Sequence, residues 1–581
     1  MNILGISDVT GNHSHSCVGV MQNDQLVFAL SQERISRKKN DCRFPTEAIQ
    51  AALDFTGLTL NDLDYFACGY PPAHYYQSLL HRSKFDLPRS FVSTVWCRPW
   101  QMVKYLLPNM RKALFDAKAT NGLFALGIPQ KKFIFIDHHF SDDVSAAYYS
   151  SCFDDCLAIS YGGFAPHLSG QNVAGAVYMC EGDHITFLQD IPLYATGCYF
   201  SGVTVALGFN YMQQEGKTMG LASHGDPEIC YDKVRALTPL FDKGQWIAYP
   251  YWIDYVMSPR ADVYLGSKSG RKWRSLISQH GRENVAAAVQ KVWEENIVSF
   301  VSYMMSTYQK RKLILSGGTF LNGRVNRTLL DLPTVDEIYI HPHTGDGSTT
   351  IGAMTETMRA FRSPARIPLE DVGLGLEYSE QSIEKAIQNS GGGFSCHKET
   401  DVSRYAAEQI ARHKVVGWFQ GREEYGPRSL GHRCILGHPG IADMKHKITR
   451  RVKKREDFIP LSPSVLAEKG AEYFKDFLPS PFMTFIYKAA DAKKDRIPAA
   501  LHVDGTARAQ AVTSSSYKPF RKLLEYFYDI TGIPMVLNTS FNFHGQPIVH
   551  EPLEAIKMFQ ETEMDELVIS SFVLSKKHHE G

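Results

Sequence analysis

Runs of apolar residues broken by short polar turns open the chain. Residues 2–6, 17–21 and 25–30 predict three strands, and Asn23-Asp24 between the last two predicts a hairpin turn. Helical spacing takes over at Pro45-Thr46, where Ala48, Ile49, Ala52 and Leu53 fall on one face until Gly57 ends the run. A longer helix is predicted over 284–309. It leads into the buried strand Lys312-Leu-Ile-Leu315 and the glycine turn Ser316-Gly-Gly-Thr-Phe-Leu-Asn322. Around 360–373 the pattern lapses into Ser363-Pro364, Pro368 and Gly373, which predicts a boundary between a first domain, 1–365, and a second, 366–581. A new series follows with a helix over 403–413 and a strand over 415–419. Strands alternating with helices predict an α/β class. Residues 70–130, aromatic and basic without a period, read as an inserted helical region, and no internal repeat stands out.

Composition narrows the choice of partner. The 62 basic and 61 acidic residues leave no bulk field to attract nucleic acid or an anionic membrane, so a small-molecule partner is expected. Eleven cysteines without a CxxC pair point to a reducing compartment. Met1 runs straight into the first strand, and no apolar run nears the ~18–20 residues of a membrane span, so a cytoplasmic location is expected.

The chemistry-bearing residues lie mostly in the second half. Gly421-Arg-Glu-Glu-Tyr-Gly-Pro-Arg-Ser-Leu-Gly-His-Arg433 sets three arginines on a glycine-broken loop. Lys453 and Arg455 follow, then Asp504-Gly-Thr-Ala-Arg-Ala-Gln510 and Leu537-Asn-Thr-Ser-Phe-Asn-Phe-His-Gly545. A single arginine is ordinarily a surface ion pair, whereas a set in this order suits the forked recognition of phosphate oxygens. In the first half, Ser316-Gly-Gly-Thr and Gly345-Asp-Gly-Ser348 read equally as tight turns and as backbone cradles for phosphate.

Taken with Glu33-Arg-Ile-Ser-Arg-Lys-Lys39, Phe44-Pro45, Asp137-His-His139 and Gly216-Lys-Thr-Met-Gly-Leu-Ala222, these motifs make the chain resemble the ATP-dependent O-carbamoyltransferases of antibiotic and nodulation-factor biosynthesis. The resemblance implies a two-lobed actin-like first domain and a twisted α/β second domain similar to threonylcarbamoyl-adenylate synthase. It implies that the second domain makes a carbamoyl adenylate from ATP and carbamoyl phosphate, and that the first delivers the carbamoyl group to a hydroxyl or amine of a small-molecule acceptor. Arg422, Arg428, Arg433, Lys453 and Arg508 would hold phosphates, Asn538 and Ser540 would position the nucleotide or carbamoyl group, and Gly317, Gly318 and Asn322 would contact nucleotide in the first domain. His138, Asp142 and Asp346 would bind metal. His138, Asp346, Lys453 and Arg428 would be catalytic. ATP with Mg2+ is the implied cofactor set, joined by Fe2+ where the metal site is kept, and a homodimer is the implied assembly.

The family pattern is broken at four places. Asp142 stands where the HxxxH pair has its second histidine, and the DGxGE segment becomes Ser160-Tyr-Gly-Gly-Phe164. The HDxS loop becomes His13-Ser-His-Ser16, and Arg-Pro-Phe-Ala-Pro-Ser becomes Ile459-Pro-Leu-Ser-Pro-Ser464. Two metal readings follow: a His-plus-carboxylate site or a lost one. Two donor readings also follow. Either Arg455 or Lys454 fills the space of the missing arginine for carbamoyl phosphate, or a ligase or acyltransferase on this scaffold takes another donor without iron. A nucleotide-binding scaffold without activity is the third reading, which the arginine set opposes.

Overall fold

The computed structural model describes residues 1–7, 16–69, 132–136, 143–166, 172–211, 213–257, 261–362, 364, 366–459 and 461–576. The expected helical insertion and the His13 loop lie outside them. In the first sheet, β1 (Ile3–Ile6), β2 (Cys17–Gln22) and β3 (Gln25–Ser31) form an antiparallel meander. Asn23 and Asp24 close the β2–β3 hairpin with φ of 51° and 68°, left-handed values that match the twist of the flanking strands. β4 (Tyr65–Cys68) and β5 (Phe133–Phe135) then add in parallel beyond β1, giving the order β3-β2-β1-β4-β5. The helix Thr46–Thr56 covers this sheet with Ala48, Ile49, Ala52 and Leu53 and stops at Gly57, where φ is 69°.

The second sheet repeats that plan. β6 (Asp155–Pro166), β7 (Asn172–Glu181) and β8 (His184–Pro192) form the meander. After a small hairpin of β9 (Leu240–Asp242) and β10 (Gln245–Ile247), β11 (Lys312–Ser316) and β12 (Glu337–Ile340) add in parallel beyond β6. The order β8-β7-β6-β11-β12 is that of the first sheet, so a repeat invisible in the sequence exists in the strand topology. Two such units are the lobes of the expected actin-like arrangement. The predicted long helix runs Arg282–Tyr308 and ends at Gln309, where φ is 51°. The helix Thr349–Arg359 leaves the second sheet but lies on the first. Gly5 and Gly19 permit this, because a Cβ on Gly5 would stand 2.6 Å from the Thr350 carbonyl oxygen, and one on Gly19 would stand 2.8 Å from Met354.

No sheet joins strands from the two sides of Ser363-Pro364 among the described residues. The strands after it are β13 (Phe394–Lys398), β14 (Val416–Phe419), β15 (Arg433–Gly437), β16 (Ser462–Leu466), the β17 (Tyr487–Lys488) and β18 (Thr506–Ala507) pair, β19 (Gln510–Val512), β20 (Met535–Ser540), β21 (Glu566–Ile569) and β22 (Phe572–Lys576). Eight of them make one mixed sheet in the order β13-β22-β21-β14-β15-β20-β16-β19, with the helices Val402–Ala411 and Lys518–Thr531 packed together against it. No described helix is long and apolar enough to cross a membrane.

Arginines fasten the two halves through carbonyl oxygens. Arg34 donates to the Glu424 and Gly426 carbonyls at 3.2 and 3.0 Å, and Arg37 to those of Ile548 and Pro547 at 2.7 and 3.0 Å. Arg422, expected on phosphate, belongs to this seam instead. Its Nε and Nη2 donate to the Gly375 and Val27 carbonyls at 2.9 and 2.8 Å, Nη2 also meets the Leu374 carbonyl, and the guanidinium lies 4.5 Å from the Phe55 ring centroid. Arg422→Ala is therefore expected to lower unfolding free energy by roughly 2–3 kcal/mol, because carbonyls facing a lost charged donor keep their desolvation cost. Denaturant titration checks it; an unchanged midpoint would remove Arg422 from the seam.

Candidate active site

The arginine loop is organised from inside by Glu424, whose Oε1 accepts from the backbone N–H groups of Leu430, His432 and Arg433 at 3.0, 3.0 and 2.9 Å. A carboxylate held by three amides fixes the loop regardless of any ligand. Arg433, also expected on phosphate, is part of that scaffold. It is fully buried, donates to the Gln420 and Gly421 carbonyls at 2.7 and 2.9 Å, and stacks 3.6 Å from the Phe419 ring centroid. Nη1 and Nη2 both face backbone carbonyls, and only Nε has no hydrogen-bond partner among the described residues.

Arg428 points the other way. It is buried, its Nη1 has no hydrogen-bond partner among the described residues, and burial followed by the charge of Arg508 holds its guanidinium down to about 9. Arg508 is likewise lowered by burial, and its Nε reaches only the Ser462 hydroxyl, at 3.4 Å. Burial and then the Arg508 charge bring Arg455 down to about 10. Lys453 falls well below the ordinary lysine range through burial and then the charge of Arg455.

The backbone delivers Lys453 and Arg455 by a π-helical turn, Lys447–Val452. The Lys453 N–H reaches back to the Ile448 carbonyl at 2.9 Å, and Lys454 takes φ of 52°, which leaves its own side chain exposed over Phe543. Lys453 Nζ donates to Asn542 Oδ1 at 2.6 Å and to both the carbonyl and hydroxyl oxygens of Ser540. Beneath the cations lies a polar floor. Asn538 donates to the Ser429 carbonyl at 3.1 Å and to the Ser464 hydroxyl at 2.9 Å, while Ser464 donates to Gln510 at 2.6 Å. Asn538 thus ties strands together rather than facing outward. Gln510, Ser462 and Lys445, the last lowered by burial and then by the charge of Arg455, are members that sequence reasoning missed. The Asp504–Gln510 motif already contained Gln510, but only the register of β19 on β16 shows that it faces Ser464.

In the first half, the β11 and β12 turns meet, with the Thr344 hydroxyl donating to the Gly317 carbonyl at 3.1 Å. Gly317 sits at φ of 90°, where an added Cβ would stand 2.4 Å from the Tyr161 carbonyl oxygen, whereas a Cβ on Gly318 would touch nothing. Asn322 caps the helix Gly323–Leu330, accepting from the Arg324 and Val325 amides at 3.2 and 3.3 Å, and exchanges bonds with Gln290; the expected nucleotide contact is a helix cap. Asp346 lies on the loop after β12, where its carbonyl accepts from Thr349 at 2.6 Å. The neighbouring carboxylate is Asp143, fully enclosed and receiving Ser160 Oγ at 2.8 Å and Ser348 Oγ at 3.0 Å. The serine that replaces an acid in the DGxGE segment therefore faces an acid supplied from 143. His138 and Asp142 lie outside the described residues, and among those described no group of three His, Cys, Asp or Glu could hold a metal ion. Tyr425, from the arginine loop, donates to the Gly347 carbonyl beside Asp346 and joins the two regions.

Two family models match this chain: Carbamoyltransferase N-terminus over residues 2–355 and Carbamoyltransferase C-terminus over 407–576. The chain belongs to the carbamoyltransferase family. It is a transferase, and carbamoyl transfer is its general chemistry. Among similar chains, nodulation protein NolNO of Sinorhizobium fredii is 29% identical over 583 residues, spanning 98% of this chain and 80% of that one. Nodulation protein NolO of Bradyrhizobium diazoefficiens is 32% identical over 450 residues, 76% of this chain and 79% of that one. Among solved structures, a full-length HypF in its phosphate- and nucleotide-bound form aligns with a TM-score of 0.31 at 11% identity, over 62% of this chain and 46% of that one.

Two outcomes are expected of this carbamoyltransferase. Pyrophosphate should raise the melting temperature of the wild type, since an anion bound only by the folded state stabilises it. Arg428→Met should bind pyrophosphate at least about tenfold more weakly, yet leave the ligand-free melting temperature unchanged or higher, because one of several crowded like charges is gone. A fall in the ligand-free value would mean that Arg428 is structural. Gly317→Ala should cost about 1–3 kcal/mol in backbone strain alone while Gly318→Ala costs far less; equal denaturation midpoints would contradict the geometry.

Proposed function

We propose that the chain activates a carbamoyl donor with ATP over the Arg428, Lys453, Arg455 and Arg508 cluster and passes the carbamoyl group to a hydroxyl or amine of a small-molecule acceptor. The observation that carries this reading is the cluster itself. Burial lowers all four cations, and the charges acting on Arg428 and Lys453 are other arginines, an arrangement that a polyanion relieves. ATP, accompanied by Mg2+, and carbamoyl phosphate supply that charge.

Carbamoyl phosphate yields inorganic phosphate to water and leaves carbamate. A carbamate oxygen attacks the α-phosphorus of ATP, and pyrophosphate departs as carbamoyl adenylate forms. The cluster's donors oppose the growing charge on the leaving pyrophosphate. The acceptor oxygen or nitrogen then attacks the carbamoyl carbon, the acceptor proton is released, and AMP leaves. The acceptor end is assigned to the first half, where Gly318 leaves open space beside the Asp346 loop. His138, Asp142 and Asp346 remain the proposed ligands for Fe2+, which would polarise the carbamoyl carbonyl.

Ile459 favours a second reading with a different donor, since it removes one of the family's arginines. Arg455 answers it, because its charge already acts within the cluster. With ATP and carbamoyl phosphate, the protein is expected to release AMP and pyrophosphate. Arg455→Ala should weaken carbamoyl phosphate by about 10–100-fold, as for the loss of a charge-assisted bond, and Ile459→Arg should change it less. Product analysis by mass spectrometry decides: no pyrophosphate with carbamoyl phosphate, but release with another carboxylate or carbamate, would replace this reading by the second.

A further inference from the structure

Carbamoyl phosphate presents hydrogen-bonding needs of both signs. Its phosphate oxygens accept, but its amide nitrogen carries two N–H donors. Every cation in the cluster is itself a donor, so the nitrogen end needs an acceptor that the cluster cannot supply.

One side chain on which the Arg508 charge acts is fixed in that role. His502 enters a tight loop before β18, with its N–H bonded to the Thr506 carbonyl at 2.7 Å and its own carbonyl accepting from Gly505 at 3.0 Å. The Thr506 hydroxyl donates to Asp504 Oδ1 at 2.7 Å, and the Thr506 amide donates to the same oxygen at 3.1 Å. Asp504 is held in turn by Arg324 from the first half. With its proton committed to the carboxylate, the Thr506 oxygen can only accept from His502 Nδ1, 2.9 Å away. Nδ1 therefore carries the ring hydrogen, and Nε2 keeps a bare lone pair. Nε2 is buried and has no partner among the described residues.

The ring lines a small cavity between the two halves together with Ser223, His224, Arg324, Lys445 and Phe458. Burial pushes the imidazole down to about 3; Asp504 opposes this, and the charges of Arg508, Arg324 and Lys445 reinforce it. The ring thus remains neutral at working pH. It is too weak a base to carry the acceptor's proton, which leaves a positioning role.

We propose that His502 Nε2 accepts an N–H of the carbamoyl group and so makes the site prefer a carbamoyl donor to an acyl donor of similar shape without amide hydrogens. The inference rests on the function proposed above. Its test measures ATP-dependent pyrophosphate release from the full chain with carbamoyl phosphate and with acetyl phosphate, in which a methyl replaces the amino group. His502→Phe should raise KM for carbamoyl phosphate by about 10–100-fold, the cost of leaving a buried donor unpaired, and leave that for acetyl phosphate near the wild-type value. His502→Gln, which restores an acceptor, should recover part of the preference. Thr506→Val, which keeps the ring but releases its Nδ1–H, should move the ratio in the same direction by less. An unchanged donor ratio in both His502→Phe and Thr506→Val would overturn this inference alone. No pyrophosphate from the wild type with either donor would overturn the parent reading and this one with it.

Discussion

Like charges crowded into a low-dielectric space repel, and Arg428, Lys453, Arg455 and Arg508 are crowded in that way. Such a cluster persists only where the surrounding chain leaves it no escape. Here a carboxylate-pinned loop, a widened helical turn and a sheet floor each hold one part. The Glu424 nest fixes the loop behind Arg428, the π-helical turn aims Lys453 and Arg455, and the β16–β19 pairing sets Arg508 against Ser462. These contacts hold the repulsion in place, and an anion among the four cations would relieve it.

The seam between the halves follows from the same logic with opposite sign. Arg34, Arg37 and Arg422 are cations too, and burial lowers Arg37 and Arg422 as well, but their donors are taken up by carbonyl oxygens: across the boundary for Arg34 and Arg37, and for Arg422 at Val27 across it and at Gly375 and Leu374 on its own side. Tyr425 then connects the arginine loop to the Gly347 carbonyl, placing the Asp346 turn and the cation cluster on a common support. The two regions therefore keep a fixed geometry toward each other.

Much of this was legible in the sequence. The hairpin at Asn23-Asp24, the stop at Gly57 and the long helix to Gln309 follow from local chemistry, because turn dihedrals and one-sided apolar spacing are properties of a few neighbouring residues. The basic cluster was legible as a set, but not its membership. Arg422, Arg428 and Arg433 share one loop and identical chemistry, and only the path of that loop, fixed by Glu424, decides which of them faces carbonyls. The duplicated sheet order escaped notice because strand pairing is preserved by hydrogen bonds that any residue can make. The tautomer of His502 escaped for a related reason: it depends on where a threonine proton goes, and that is settled by a carboxylate held across the seam by Arg324.

The turn at Lys447–Val452 carries a consequence for comparing relatives. A π-turn holds one more residue than the α-helical turn it replaces, so the side chains beyond it are rotated by about 100° from where an unbroken helix would aim them. A relative with a single residue deleted there would keep every letter of its Lys-Lys-Arg run and yet turn a different member of that run inward. Identity at these positions is therefore not equivalence, and the length of the preceding turn says more about which cation is turned inward than the letters that follow it.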